Sequence, residues 1–90
     1  MGATTIVRHN VTDYAAWRVV YEEVEPLRQA HGCTGAEVLV DPDDKNDVYV
    51  LHRFGSLEDA QGFFGDEALK AAFGKAGVVM PPRIEIAVDS

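Results

Sequence analysis

Two histidines and one arginine fall where the surrounding pattern calls for apolar side chains. His9 closes the run Thr5, Val7, His9, and His52 follows Val48 and Val50 in the same alternation. Alternate residues of a strand share a face, so both imidazoles lie on an apolar side. Imidazole changes charge near neutral pH. In a pocket it could act as a general base, taking a proton from a bound ligand. The same placement also suits a core histidine with its hydrogen bonds met locally. The strands carrying them run antiparallel and each histidine lies towards the end of its own strand, so no shared metal site is expected. Arg28 falls near the middle of a stripe formed by Trp17, Tyr21 and Val24. A charged head there needs a partner. It could anchor a carboxylate or enolate of a ligand. Alternatively, Pro26 turns the helix end and Arg28 reaches solvent or pairs with a nearby acid. Tyr14, Trp17 and Tyr21 stand at helical spacing as an aromatic ladder. Such ladders usually fill a core; if a pocket exists, these rings line it and stack on a flat aromatic ligand.

Other candidates fail on their details. The acidic run at residues 41–47 resembles a calcium loop, but Lys45 stands at the third ligand position, Asn46 replaces the required glycine and His52 replaces the bidentate glutamate. It reads as a hairpin turn. Cys33 is the single cysteine and has no adjacent base in sequence, so it reads as an inert small residue. No phosphate-binding glycine loop and no nucleophile elbow is present.

Periodicity supplies the elements that must position these groups. Residues 4–11 alternate as a strand. Residues 13–30 carry Tyr14, Trp17, Val20, Tyr21, Val24 and Leu27 on one helical stripe, with Thr12-Asp13 as cap and Gly32 as stop. Pro26 predicts a kink around residues 22–25 or a break into two pieces. Residues 35–40 and 48–54 alternate again, joined by the acidic turn. Residues 57–76 form a second helical region, capped by Ser56 and divided at Gly65-Asp66. Leu57, Ala60, Phe63, Phe64, Leu69, Ala72, Phe73 and Ala76 face inward there, and Gly77 ends it. A last strand covers residues 83–88. The order is strand–helix–strand–strand–helix–strand, an α+β ferredoxin-like βαββαβ chain with a four-stranded antiparallel sheet, in one domain spanning residues 1–90. Right-handed crossovers place the first and third strands in the middle.

One sheet face should carry the helices on Val7, Val11, Val38, Val40, Val48, Val50, Phe54, Ile84, Ile86 and Val88. The other mixes Ile6, Leu39, Tyr49 and Leu51 with Arg8, Arg53, Arg83, Glu37 and Glu85. Four bulky apolar groups suit neither a solvated face nor, with five charges among them, a dry core. A second copy of the chain packed on this face is expected, with the charges paired across strands or across a twofold axis. Small size points the same way, because a short chain buries little core and this one has no disulfide or zinc cluster to compensate. The net charge of −7, with eight scattered basic residues, argues against nucleic acid binding. No stretch is long and apolar enough to cross a membrane, and no secretory leader is evident, so a cytoplasmic protein is expected.

Several segments resemble the dimeric α+β barrel superfamily, and within it the small proteins grouped with antibiotic-biosynthesis monooxygenases and polyketide cyclases. They are Val7-Arg8-His9 leading into Asp13-Tyr14-Ala15-Ala16-Trp17, Gly32-Cys33-Thr34-Gly35-Ala36, the hairpin of residues 41–48, Phe54-Gly55-Ser56-Leu57-Glu58-Asp59-Ala60, and Lys75-Ala76-Gly77-Val78. The resemblance implies a homodimeric barrel with a pocket in each subunit between helices and sheet. It also implies either cofactor-independent oxygenation or no known reaction. Heme-degrading relatives use an asparagine on the first strand with a tryptophan and a histidine in the second helical region. Asn10 could be placed on the first, but residues 57–76 hold neither Trp nor His, so heme degradation is not expected. Two functions remain open: a cofactor-free monooxygenase or cyclase-like enzyme acting on a small aromatic or polyketide-like molecule, and a non-catalytic small-molecule-binding or structural homodimer. A continuous cavity between the first helix and the sheet, lined by Trp17, Tyr21 and one histidine, would favour the enzyme.

Overall fold

A computed structural model describes Met1–Ser90. Its elements are β1 (Ala3–Asn10), α1 (Tyr14–Glu23), α2 (Glu25–Ala30), β2 (Cys33–Asp41), β3 (Asp44–Phe54), α3 (Leu57–Phe64), α4 (Glu67–Lys75) and β4 (Arg83–Val88). The strands form one antiparallel sheet in the order β2-β3-β1-β4, with β1 and β3 central. This is the expected ferredoxin-like arrangement.

Local chemistry explains the boundaries. The Asp13 carboxylate accepts the Ala15 N–H at the start of α1, Ser56 accepts the Asp59 N–H before α3, and Asp66 accepts the Ala68 N–H before α4. Pro26 lies in the first turn of α2, where its missing N–H costs little, so the long helix breaks at Val24 rather than bending. Gly32 and Gly77 take positive φ values of 75° and 74° just past α2 and α4, the left-handed turn that ends a helix.

The hairpin is tighter than the sequence suggests. Residues 44–47 belong to β3, Asp41 pairs with Asp44, and only Pro42-Asp43 form the turn. The extra strand length is used at once. Asn46 accepts the Val11 N–H on its backbone oxygen and the Tyr14 N–H on its side chain, and Asp47 holds Arg8. The start of α1 is thereby fixed to β3.

Helices cover β1 and β3 fully but the edge strands only in part. Val40 on β2 and Ile84, Ile86 and Val88 on β4 have the expected parity yet stay exposed, and Leu57 at the start of α3 is exposed rather than inward. Two short helical pairs are too narrow to roof four strands. The core divides in two: Val7, Val11, Trp17, Val20, Val48, Val50, Ala76 and Val78 form one cluster, and Ala3, Cys33, Phe54, Ala60, Phe63 and Leu69 the other. Val24, Phe64 and Phe73 pack against both.

Candidate functional site

Between the two clusters lies a cavity. The sheet supplies Val7, His9, Val50 and His52; α1 supplies Trp17, Val20 and Tyr21; Val24 and Arg28 close one end, and α3 and α4 supply Phe63, Phe64, Leu69, Ala72 and Phe73. The space open to the centre of a water molecule is about 40 Å³, enough for a few waters. A ring system needs more, and the half-buried Tyr21, Val24, Phe64 and Phe73 are the walls that move at least cost.

The two histidines are the polar features of this apolar space. Each is 6 % exposed, and none of their four ring nitrogens has a protein hydrogen-bond partner. The β1–β3 register sets His9 opposite Val48 and His52 opposite Thr5. Four residues therefore separate them along the sheet, roughly 13 Å at strand rise. They stand at opposite ends of the same cavity, too far apart to share a metal ion. His9 contacts Trp17 and Phe73, with ring centroids at 5.7 Å and 6.2 Å. His52 lies parallel to Tyr21 at 6.4 Å and edge-on to Phe63 at 5.4 Å. Burial lowers the pKa of His9, opposed by the nearby Asp47 carboxylate. His52 is lowered to about 4, by burial first and by the Arg28 charge second. Both imidazoles are therefore neutral at pH 7, each with one N–H to give and one lone pair to accept.

Arg28 is 2 % exposed. Its guanidinium lies 4.0 Å from the Tyr21 ring centroid and pairs with Glu25 at 2.8 Å. Arg28 thus pairs with an acid one turn away while its side chain also lines the cavity. Trp17 stacks on Tyr21 at 5.1 Å, and both line the cavity. Tyr14 does not; it reaches the space only through Trp17, 5.8 Å away. Its position at the first turn of α1 carries it past the end of the cavity. Cys33 is buried, and its thiol donates to the Gly35 carbonyl at 3.2 Å.

Two groups escaped the sequence reading. Glu25 is the acid on Arg28, visible only as an i, i+3 pair once the helix break is placed. His31 bonds Asp66 at 2.9 Å and clasps the end of α2 to the start of α4; nothing in its local pattern singles it out.

The family model described as antibiotic biosynthesis monooxygenase matches residues 13–75. The chain belongs to that family. Among solved structures it is similar to an antibiotic biosynthesis monooxygenase-type protein of Bordetella bronchiseptica, with a TM-score of 0.82 and 13% identity over 99% of this chain and 97% of that one. It is also similar to SnoaB, a cofactor-independent oxygenase from Streptomyces nogalater, with a TM-score of 0.82 and 10% identity over 99% and 93%. A protein of Caulobacter crescentus in the same group has a TM-score of 0.77 and 19% identity over 98% and 91%. At these identities the likeness shows a shared fold. No match is found among curated proteins. No helix is long and apolar enough to cross a membrane.

Proposed function

We propose that this chain is a cofactor-independent monooxygenase acting on a small aromatic molecule with a phenolic or enolic group, bound between helices and sheet. The observation that carries the reading is the pair of neutral, buried imidazoles with no protein partner at the two ends of one aromatic-lined cavity. A buried polar group without a partner costs about 1–3 kcal/mol. A ligand with polar groups at its edges would supply the missing bonds. Membership of the monooxygenase family supports the same reading.

The two ends differ in charge. His9 feels the Asp47 carboxylate and is the better proton acceptor, while His52 feels the Arg28 guanidinium and is the poorer one. In the proposed reaction His9 removes a proton from the substrate. Arg28 and a neutral His52 hold the oxygen atom on which negative charge collects. Trp17 and Tyr21 stack on the rings. The substrate anion gives its electrons to dioxygen and a C–O bond forms as a peroxide. Loss of water then leaves a carbonyl. A CH2 group and O2 become C=O and H2O, so the substrate itself is the reductant.

The functional unit is proposed to be a homodimer joined through the outer sheet face. Four of the five charges on that face are already paired within the chain, Arg8 with Asp47, Arg53 with Asp89 and Arg83 with Glu85, and Glu37 alone has no ion pair. Their neutralisation leaves Ile6, Leu39, Tyr49 and Leu51 free to pack against a second copy.

The second reading, a binding or structural homodimer without catalysis, is favoured by the small volume of the cavity. Dioxygen uptake with a hydroxylated polycyclic aromatic bearing an activated methylene separates the two. The enzyme consumes one O2 per carbonyl formed, places one atom of labelled dioxygen in the product, and loses activity in His9→Leu. Uptake no faster than without protein, across a set of such compounds, refutes catalysis.

A further inference from the structure

We propose that the cavity takes an aromatic anion, a carboxylate or phenolate on a flat ring, and that Glu25 occupies the anion's place on Arg28 until the ligand arrives. The proposal rests on the reading of the cavity as a ligand site and adds the charge of the ligand and its way in.

Three observations carry it. First, the ion pair is lopsided. The Arg28 side chain is 3 % exposed and that of Glu25 is 52 % exposed. Glu25 already reaches water and is free to swing out, whereas Arg28 is fixed inside. The buried guanidinium would be stranded unless an incoming anion took the glutamate's place, so departure of Glu25 is coupled to arrival of a ligand charge. Second, the pair is imperfect. Arg28 Nε donates to Glu25 Oε2 at 2.9 Å, and Nη2 approaches the same oxygen at 2.8 Å. The other carboxylate oxygen, Oε1, accepts from Gln29 at 2.8 Å. The guanidinium fork is built to meet two oxygens in parallel, and here it meets one. A ligand carboxylate presented in the plane of the fork makes both bonds. Third, Arg28 and Tyr21 line the inner cavity and also an outer groove between α1, α2 and the start of β2. The pair is therefore the wall between bulk water and the cavity. The floor of the groove is Gly35 and Ala36, and Ala36 sits opposite His52 in the β2–β3 register.

When Glu25 leaves, Tyr21 keeps the guanidinium in place through its ring face at 4.0 Å. The arriving anion replaces the lost charge, so the buried cation is paired before and after. Glu25 thus excludes neutral ligands weakly and is displaced by anionic ones of the right shape.

The test is calorimetric binding of 2-naphthoate and its neutral isostere 2-naphthamide to the wild-type protein and to Glu25→Gln, with folding of the variant checked by thermal melting. Wild type is expected to bind the acid at least tenfold more tightly than the amide. Glu25→Gln, which removes the internal competitor, is expected to widen that ratio at least fivefold further. Equal affinities of wild type for acid and amide overturn the proposal, and that comparison needs no variant. An acid affinity unmoved by Glu25→Gln also overturns it. Binding of the amide without preference for the acid leaves the cavity as a ligand site and removes only its anion specificity. Binding of neither compound to either protein removes both.

Discussion

His52 is expected to make the protein acid-labile by an amount that can be worked out. Its pKa is lowered from 6.5 to about 4, by burial first and by Arg28 second, with Glu25 opposing. The folded state therefore binds this proton less well than the unfolded chain. For such a group the stabilising contribution is complete above about pH 6.5 and is lost as pH falls towards about 4. A gap of about 2.5 pH units corresponds to about 3 kcal/mol once both states are protonated. At about pH 4.5 the unfolded chain is fully protonated and the folded site only in small part, so about 2.5 kcal/mol is already lost. A small domain has only ~5–10 kcal/mol in total, so the effect is large. The assay is urea unfolding of wild type and His52→Leu at about pH 7 and about pH 4.5. Titration of His9 and of the carboxylates is common to both proteins and cancels in the difference. Wild type is expected to lose about 2.5 kcal/mol more than His52→Leu across that interval. Leucine also removes two buried nitrogens without protein partners, so the variant is expected to equal or exceed wild type at neutral pH. Equal losses in the two proteins, or a folded-state titration of His52 by NMR near 6.5, would refute the assignment of a neutral, buried imidazole.

Three further outcomes follow from named contacts. Gly77→Ala is expected to lower stability by about 1–2 kcal/mol, seen as a lower Tm, because the residue needs φ of 74° and its new methyl group would stand 2.5 Å from the Thr12 hydroxyl. Phe64→Ala, which removes a half-buried wall of the cavity, is expected to cost about 2 kcal/mol and to raise affinity for bulky aromatics in calorimetry. Leu51→Glu on the outer sheet face is expected to halve the mass measured by light scattering relative to wild type while leaving the circular dichroism spectrum unchanged.

The fold was legible because each device that shapes it is local. Asp13, Ser56 and Asp66 cap helices where their types and neighbours suggest, Pro26 breaks the first helical region, and Gly65, Gly32 and Gly77 end or divide the others. Strand parity placed His9 and His52 on the helix side, where both are found. What was not legible depends on distances between elements. Parity marks Ile84, Ile86 and Val88 as helix-facing, but it carries no information on how wide the helix layer is, and these residues are left exposed. The hairpin looked like a seven-residue loop because Asp, Asn and Pro are common in turns. β3 instead starts at Asp44, paired with Asp41; residues 45–47 then form an irregularity in the β2–β3 register before Val48 pairs with Val40, and there Asn46 and Asp47 serve α1 and Arg8. In the candidate site, helical spacing gave Tyr14, Trp17 and Tyr21 equal standing. Only the length of the cavity separates the two that line it from the one that does not. Glu25 was invisible for a related reason: its pairing with Arg28 depends on the helix break at Val24.

The central claim is that an aromatic ligand fits between α1 and the sheet and meets the unpartnered imidazoles. A crystal structure of the protein soaked with a hydroxylated bicyclic aromatic tests it most directly. The expected density is a flat ring against Trp17 and Tyr21, with a polar atom within hydrogen-bond reach of His9 or His52 and with Tyr21, Phe64 or Phe73 swung outward. A ring found only on the exposed edge strands, with the cavity still closed over both histidines, would contradict it.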